Sequence, residues 1–361
     1  MSAPRTYRIV VIEGDGIGPE LVAAAMRVLD AAQDTLGFRL QLDAREGGAG
    51  LYRRSGRNLA PGALEAIKSA DAAMKGPVGL PEVRLPDGTE AGTLGGVLRI
   101  ALDTYVNLRP VRSLPGVPAP IAGPIDYVIV RENTEGLYLS RGKGIGTDQA
   151  MADTLLITRK GTERVARYAF ELARRRTGAL EDGVKRVTCV DKSNVLASYA
   201  FFRRVFDGVG EAYPDIQRDY LYADAAAQAL VLRPQRFDVL VMENFLGDIL
   251  SDLGGATVGG IGLCPAGNIG DAHAYFEPIH GSAPDIAGRD QANPISQVLT
   301  AALMLEHLGE RDAARLVRRA VASSLESGKL VIGRSGQPEG GTRRAGETIA
   351  DALRALGEVR P

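Results

Sequence analysis

The chain has 361 residues, enough for two domains that share a cleft. Its 43 basic and 44 acidic residues leave a formal charge of -1, and no long basic run is present to track a phosphate backbone, which argues against nucleic acid as a partner. The two cysteines, Cys189 and Cys264, form neither a metal pair nor a redox motif, and the apolar run Ile9 to Ile12 after the polar start at Met1 is too short for a signal core or a membrane span, so a cytoplasmic setting without a membrane partner is expected.

In chain order, Tyr7 to Ile12 reads as a buried strand, Gly14 to Gly18 as a loop and Pro19 to Ala32 as a helix with proline in its first turn. Pro61 to Ser69 reads as a helix and Ala72 to Met74 as a strand. Further along, Tyr127 to Val130, Val187 to Val190 and Phe237 to Met242 are apolar strands, interleaved with helical spacing over Arg164 to Arg175 and Ala197 to Val209. Ile295 to Leu308 and Asp312 to Ser327 are amphipathic helices whose apolar faces should cover a sheet. Strands that alternate with helices imply parallel pairing through right-handed crossovers, hence an α/β fold.

The opening loop, Glu13-Gly14-Asp15-Gly16-Ile17-Gly18-Pro19-Glu20, lacks the G-x-G-x-x-G spacing that sets a pyrophosphate on a helix end, so it is not a Rossmann fingerprint. Asp248 and Asp252 are four residues apart, and a helix would stack their charges on one face at a cost of roughly 0.3 kcal/mol. A hard divalent cation reverses that sign, because Mg²⁺ and Mn²⁺ favour carboxylate and water oxygens. Arg99, Arg109 and Arg131 offer planar guanidinium groups, which suit a di- or tricarboxylate because each donates two parallel hydrogen bonds.

These stretches occur in a definite order together with Lys75-Gly76-Pro77, Asn107-Leu108-Arg109-Pro110, Val130-Arg131-Glu132-Asn133-Thr134-Glu135-Gly136, Asp191-Lys192-Ser193-Asn194-Val195-Leu196, Gly247-Asp248-Ile249-Leu250-Ser251-Asp252 and His280-Gly281-Ser282-Ala283-Pro284-Asp285. So read, the chain resembles the isocitrate and isopropylmalate dehydrogenase family, which includes tartrate, D-malate and homoisocitrate dehydrogenases. The resemblance implies a two-domain isopropylmalate dehydrogenase-like fold with a large mixed, mostly parallel sheet. Residues 1–103 plus 255–361 would form the cofactor-binding domain, and 104–254 the substrate, metal and dimerisation domain.

The resemblance also implies roles. Asp248 and Asp252 would hold the metal, with Asp224 reaching across from the second subunit of a homodimer or of a tetramer built from it. Lys192 would take the substrate hydroxyl proton and Tyr138 would protonate the enolate left by decarboxylation. Thr93, Arg99, Arg109, Arg131 and Asn194 would bind substrate. The cofactor would lie against Ile12, Lys75, His280, Gly281, Ser282, Ala283, Asp285 and Asn293. A carboxylate at Asp285 accepts hydrogen bonds from a ribose diol and repels a 2′-phosphate, which points to NAD, while Arg343 and Arg344 are the residues that would favour the phosphate. A monovalent K⁺ is compatible with the divalent ion.

The implied reaction is metal-dependent oxidation of a 3-substituted malate followed by loss of its β-carboxylate. On the substrate the motifs divide. Asp191 to Leu196 resembles the isopropylmalate branch, Asp103 to Arg112 the tartrate and D-malate branch, and Lys75-Gly76-Pro77 the isocitrate branch. Isocitrate-type enzymes have serine and asparagine where this chain has Thr93 and Gly95. A polar or anionic γ-substituent, as in isocitrate or homoisocitrate, is preferred, with Thr93, Lys75 or Arg84 as anchors; tartrate, D-malate and 3-isopropylmalate are the alternatives. A non-catalytic regulatory subunit is the competing class.

Overall fold

The computed structural model describes residues 4–358; the termini of the two expected domains, Met1 and Pro361, lie outside the described residues. Its strands are β1 (Thr6–Ile12), β2 (Arg39–Ala44), β3 (Ala72–Lys75), β4 (Val106–Arg112), β5 (Asp126–Glu132), β6 (Ile145–Gly146), β7 (Met151–Ala152), β8 (Arg186–Asp191), β9 (Gln217–Tyr222), β10 (Val239–Met242), β11 (Pro265–Ile269) and β12 (Ala274–Pro278). Ten form one sheet in the order β2-β1-β3-β12-β11-β4-β5-β10-β8-β9, and β6 pairs with β7 in a separate antiparallel ribbon. Parallel pairing prevails, and β11 and β4 supply the antiparallel joints at the middle. The mixed, mostly parallel sheet expected from the sequence is present. One flank of five strands is drawn from residues 6–75 and 265–278, the other from 106–242.

The inner strands are apolar because helices cover both faces. Helix Gly18–Leu36 starts with Pro19 and stops at Gly37, whose left-handed backbone lets its N–H reach the Gln33 carbonyl. It packs with the helices Ile295–His307, Arg311–Glu326 and Gly341–Glu358 over one flank. Helix Arg159–Arg175 is capped by Thr158, whose hydroxyl accepts from Gly161 N at 3.0 Å. None of the helices among the described residues is long and apolar enough to cross a membrane.

The glycine loop after β1 owes its composition to close packing. A Cβ on Gly14 would lie 2.1 Å from the Pro77 carbonyl oxygen, and one on Gly16 2.0 Å from that of Ser282, and both residues have positive φ. Between them the buried Asp15 carboxylate accepts from Ala49 N at 2.7 Å, Gly50 N at 2.8 Å and Gly79 N at 2.9 Å. The loop therefore braces three neighbouring segments. Asp15→Ala is expected to destabilise the fold by about 3 kcal/mol, since three N–H groups lose a charged acceptor. Urea denaturation midpoints measure this, and a shift worth less than about 1 kcal/mol would contradict the brace.

Candidate active site

Strands β5, β10, β8 and β9 run parallel, so their C-terminal ends share one edge of the sheet. That edge carries Arg131 on β5, the helix Asn244–Thr257 after β10, Lys192 after β8 and Asp224 after β9. The helix after β10 is started by Glu243, whose carboxylate accepts from Phe245 N at 2.9 Å and Leu246 N at 3.2 Å. Asp248 and Asp252 thereby sit one turn apart, as their spacing predicts.

Asp248 is the hub. Arg131 donates through Nη1 to its Oδ1, Arg109 Nη2 lies 3.3 Å from that oxygen, and the Tyr138 hydroxyl donates to Oδ2 at 2.8 Å. The guanidinium groups are held from behind: Arg131 Nη2 and Nε donate to Asn244 Oδ1 at 2.7 and 3.0 Å, and Arg109 Nη1 donates to Ser251 Oγ at 2.6 Å. Arg99, on the helix Gly95–Ala101, keeps a buried Nε without a partner among the described residues. A cavity of about 210 Å³ lies against Arg99 and Arg109, lined also by Lys75, Gly95, Glu277 and His280 among others.

The charges explain what the cavity accepts. Burial, with Arg109 and Arg99 nearby, pushes the Arg131 guanidinium down to about 9, so an entering carboxylate relieves repulsion among three cations. Burial opposes the charge of Asp248, yet Arg131 and Arg109 hold its carboxyl below the usual range. Burial and the hydrogen bond to Asp248 push the Tyr138 hydroxyl up to about 12. It therefore stays protonated through neutral pH and loses its proton only as pH rises towards that value. Tyr138→Phe is expected to lower turnover about 100-fold with KM little changed, the effect of losing the proton donor that the family resemblance implies. Steady-state kinetics check this, and a KM-dominated loss would instead indicate a binding role.

Asp252 is half exposed, with a single ion pair among the described residues, at 3.4 Å to Arg109. Burial raises its carboxyl; Arg109 counters this and Asp248 adds to it. Two oxygen donors one turn apart, with mutual repulsion incompletely relieved, fit a hard divalent cation held by two carboxylates and substrate. Asp224 is not beside them. It accepts from Lys192 Nζ at 2.8 Å, and among the described residues no group of three metal-ligating side chains forms. Asn194 is exposed in the loop after β8, and Thr93 is half-buried just before the Arg99 helix.

On the opposite wall, His280 Nδ1 lies 3.0 Å from the Gly281 carbonyl, and its Nε2 is buried without a partner among the described residues. Burial lowers the His280 pKa and keeps the ring neutral. The Ser282 hydroxyl donates to the Gly79 carbonyl, and Ala283 adopts a left-handed backbone at φ 36°. Asp285 is exposed and accepts no hydrogen bond among the described residues. An orphaned ring nitrogen and a free carboxylate along one loop fit a ribose-bearing cofactor. Asn293 spends its side chain on Ile295 N at 3.0 Å and the Gly336 carbonyl at 2.9 Å. Ile12 closes β1, fully buried.

Several contributors escape a reading of the sequence. Glu277 pairs with buried Lys75 at 2.5 Å and accepts from Asn268 at 2.8 Å; Lys75 leads the forces that hold it down to about 2 against the burial that opposes its charge. Glu243 also accepts from Leu137 N at 3.2 Å and Tyr199 OH at 3.0 Å, tying the Tyr138 segment to the aspartate helix. Glu277 stands three residues before His280, and that proximity was the available signal. Arg84, a possible anchor by sequence, is exposed and donates to the Pro81 carbonyl at 2.8 Å.

The family model described as isocitrate/isopropylmalate dehydrogenase matches residues 8–339. A 3-isopropylmalate dehydrogenase of Leifsonia xyli is 43% identical over 364 residues, covering 98% of both chains. A 3-isopropylmalate/3-methylmalate dehydrogenase of Methanocaldococcus jannaschii is 44% identical over 323 residues, covering 89% of this chain and 92% of its own. Among solved structures, an isocitrate dehydrogenase from Methylococcus capsulatus superimposes with a TM-score of 0.85 at 38% identity, covering 96% of this chain and 99% of its own.

Proposed function

Because this chain belongs to the isocitrate/isopropylmalate dehydrogenase family, we propose that it oxidises a 3-substituted malate with NAD and a divalent metal and removes the β-carboxylate, releasing a 2-oxo acid. The observation that carries this reading is a cavity lined by Arg99 and Arg109, with Arg109, Arg131 and Tyr138 gathered on Asp248. Asp248 and Asp252 would hold Mg²⁺ or Mn²⁺, with K⁺ as a compatible monovalent partner, and the loop from His280 to Asp285 would hold NAD, assisted by Lys75.

When bound, the metal would supply Lewis acidity towards the substrate's oxygens and NAD⁺ would supply the hydride acceptor. The chain's own residues do the rest. The three arginines clamp the substrate's carboxylates and orient C2 and C3. Lys192 takes the hydroxyl proton at Nζ, and Tyr138, held protonated by Asp248, delivers a proton to C3 after carbon dioxide leaves. Closure of residues 104–254 against 1–103 and 255–361 would exclude water.

Lys192 and Asp224 face each other within one chain, away from Asp248. The exposed apolar side chains Val195, Leu196, Leu232 and Ile249 lie on the same elements. A second copy of the chain fits this face and would bring its Lys192 and Asp224 to the aspartate pair. For the C3 substituent, the names of the relatives favour 3-isopropylmalate over the isocitrate-like substrate suggested by the sequence.

The test is NADH formation from a panel of 3-substituted malates with Mn²⁺, repeated with EDTA. Metal-dependent NADH and carbon dioxide in equal amounts support the reading. No NADH from any member, or NADH undiminished by EDTA, would overturn it.

A further inference from the structure

The neighbouring strands β12, β11, β4 and β5 carry polar side chains along one face of the sheet. Asn268 on β11 lies opposite Asn107 on β4, which lies opposite Arg131 on β5. Residues two apart on a strand share a face, so Arg109 on β4 and Ala266 on β11 join them, and Glu277 on β12 stands opposite Ala266. Arg109, Ala266 and Glu277 line the 210 Å³ cavity. Asn107 and Asn268 are fully buried and outside its lining, and burying such amides costs free energy unless they are hydrogen-bonded.

Their bonds form one directed chain. Asn268 donates from Nδ2 to Glu277 Oε1 at 2.8 Å, and its Oδ1 accepts from Asn107 Nδ2 and from Asn133 Nδ2, both at 2.9 Å. Asn107 in turn offers Oδ1 to Arg109 Nε. The carboxylate at the head sets the orientation of every amide, because an ionised carboxylate only accepts. Burial opposes the charge of Glu277, yet Lys75 and Arg99 hold its carboxyl down to about 2, so it remains an acceptor through neutral pH. Glu277 therefore takes the amino side of Asn268, the carbonyl side of Asn268 faces Asn107, and Asn107 is left with its own carbonyl towards Arg109. Asn133 reinforces this sense, since its Nδ2 also donates to the Thr104 carbonyl at 2.8 Å. Reversing the chain would set an N–H against an N–H at Arg109.

We propose that Asn268 is a positioning residue for substrate binding: it fixes the amide of Asn107 and, through it, the plane of the Arg109 guanidinium that clamps a substrate carboxylate. This rests on the arginine clamp in the reaction proposed above. Arg109 is anchored at Nε by Asn107 and at Nη1 by Ser251 Oγ, the latter at 2.6 Å, and two anchors define the plane of a rigid fork. Without the Asn268 carbonyl the Asn107 amide is free to turn, and the anchor at Nε is lost. Bidentate recognition of a carboxylate depends on that plane. The bond between Asn268 and Asn107 also crosses from β11 to β4, the joint between the two flanks of the sheet. The clamp on one flank is thus aligned by the pair of Lys75 and Glu277 on the other.

The experiment is isothermal titration with 2-isopropylsuccinate, a dicarboxylate without the hydroxyl that oxidation requires, on wild type, Asn268→Leu and Asn268→Asp with Mn²⁺ present. Leucine has nearly the shape of the amide and no polar atom, whereas aspartate keeps an oxygen that accepts from Asn107 and Asn133. Asn268→Leu should bind about tenfold more weakly, and Asn268→Asp within about threefold of wild type. A role confined to packing predicts the reverse order, because aspartate buries a second carboxylate beside Glu277. Loss with leucine and retention with aspartate support the assignment. Unchanged binding with leucine, or a loss with aspartate as large as that with leucine, overturns it. If Asn268→Leu does not fold, Asn268→Val takes its place with the same expected loss, its β-branched side chain suiting a strand.

The same titration separates this assignment from the reaction. Wild type that does not bind the dicarboxylate removes the arginine clamp and the role of Asn268 together. Binding with the expected order of variants, but no NADH from any 3-substituted malate, removes the reaction and leaves the role of Asn268 standing.

Discussion

Replacing Lys192 with methionine is expected to lower turnover by about three orders of magnitude while changing KM less than about tenfold. Methionine keeps the unbranched stem and removes the amine proposed to take the hydroxyl proton. Lys192 sits at the C-terminal end of β8 with its Nζ 2.8 Å from Asp224, and that pair holds the Asp224 carboxyl below its ordinary range. The exposed setting of the pair means that little folding stability depends on it. A folded variant with unchanged thermal stability and turnover within tenfold of wild type would remove Lys192 from the proton transfer. The shared site adds a sharper test. If Lys192 of one copy serves Asp248 of another, two variants, each inactive for lack of one residue, should recover about a quarter of wild-type activity when unfolded together and reassembled. A site complete within one chain recovers nothing.

Asp248→Asn is expected to abolish metal-dependent activity, by roughly 1,000-fold or more, and to cost the fold about 2 kcal/mol. The amide keeps the shape and removes the charge that faces Arg131 and Arg109, leaving two buried guanidinium groups without that counter-ion. The stability figure is set below that of a wholly buried pair, because the Asp248 side chain is about one-third exposed. The pH dependence has a definite sign. A carboxyl held below its unfolded value stabilises the fold above that value, near pH 4, and loses the contribution as pH falls through the lower folded value. Wild type and Asp248→Asn should therefore differ most at neutral pH and converge in acid. Denaturant midpoints measured across that range test this, and a constant gap would show that the charge of Asp248 is not what the arginines need. Isothermal titration with Mn²⁺ should lose its heat in the variant.

The central helices and strands were legible from sequence because their burial is periodic. Gly18–Leu36, Arg186–Asp191 and Ala197–Gly210 lie within a few residues of where apolar spacing puts them. β4 was not legible. It lies in the middle of the sheet, yet contains Pro110 and the buried polar side chains Asn107 and Arg109, a composition that ordinarily argues against a central strand. β2 and β9 are the exposed edge strands, with no continuous apolar run to announce them.

The chemistry divides in the same way. Residue types and order along the chain were enough to establish the family, the stacked aspartates and the arginines, because these depend on identity and short spacing. Only the tertiary structure showed that the Gly14-Asp15-Gly16 loop is a packing brace and that Asp224 lies with Lys192 and away from Asp248. These are contacts between segments far apart in sequence, set by strand order and loop closure, and no local pattern encodes them.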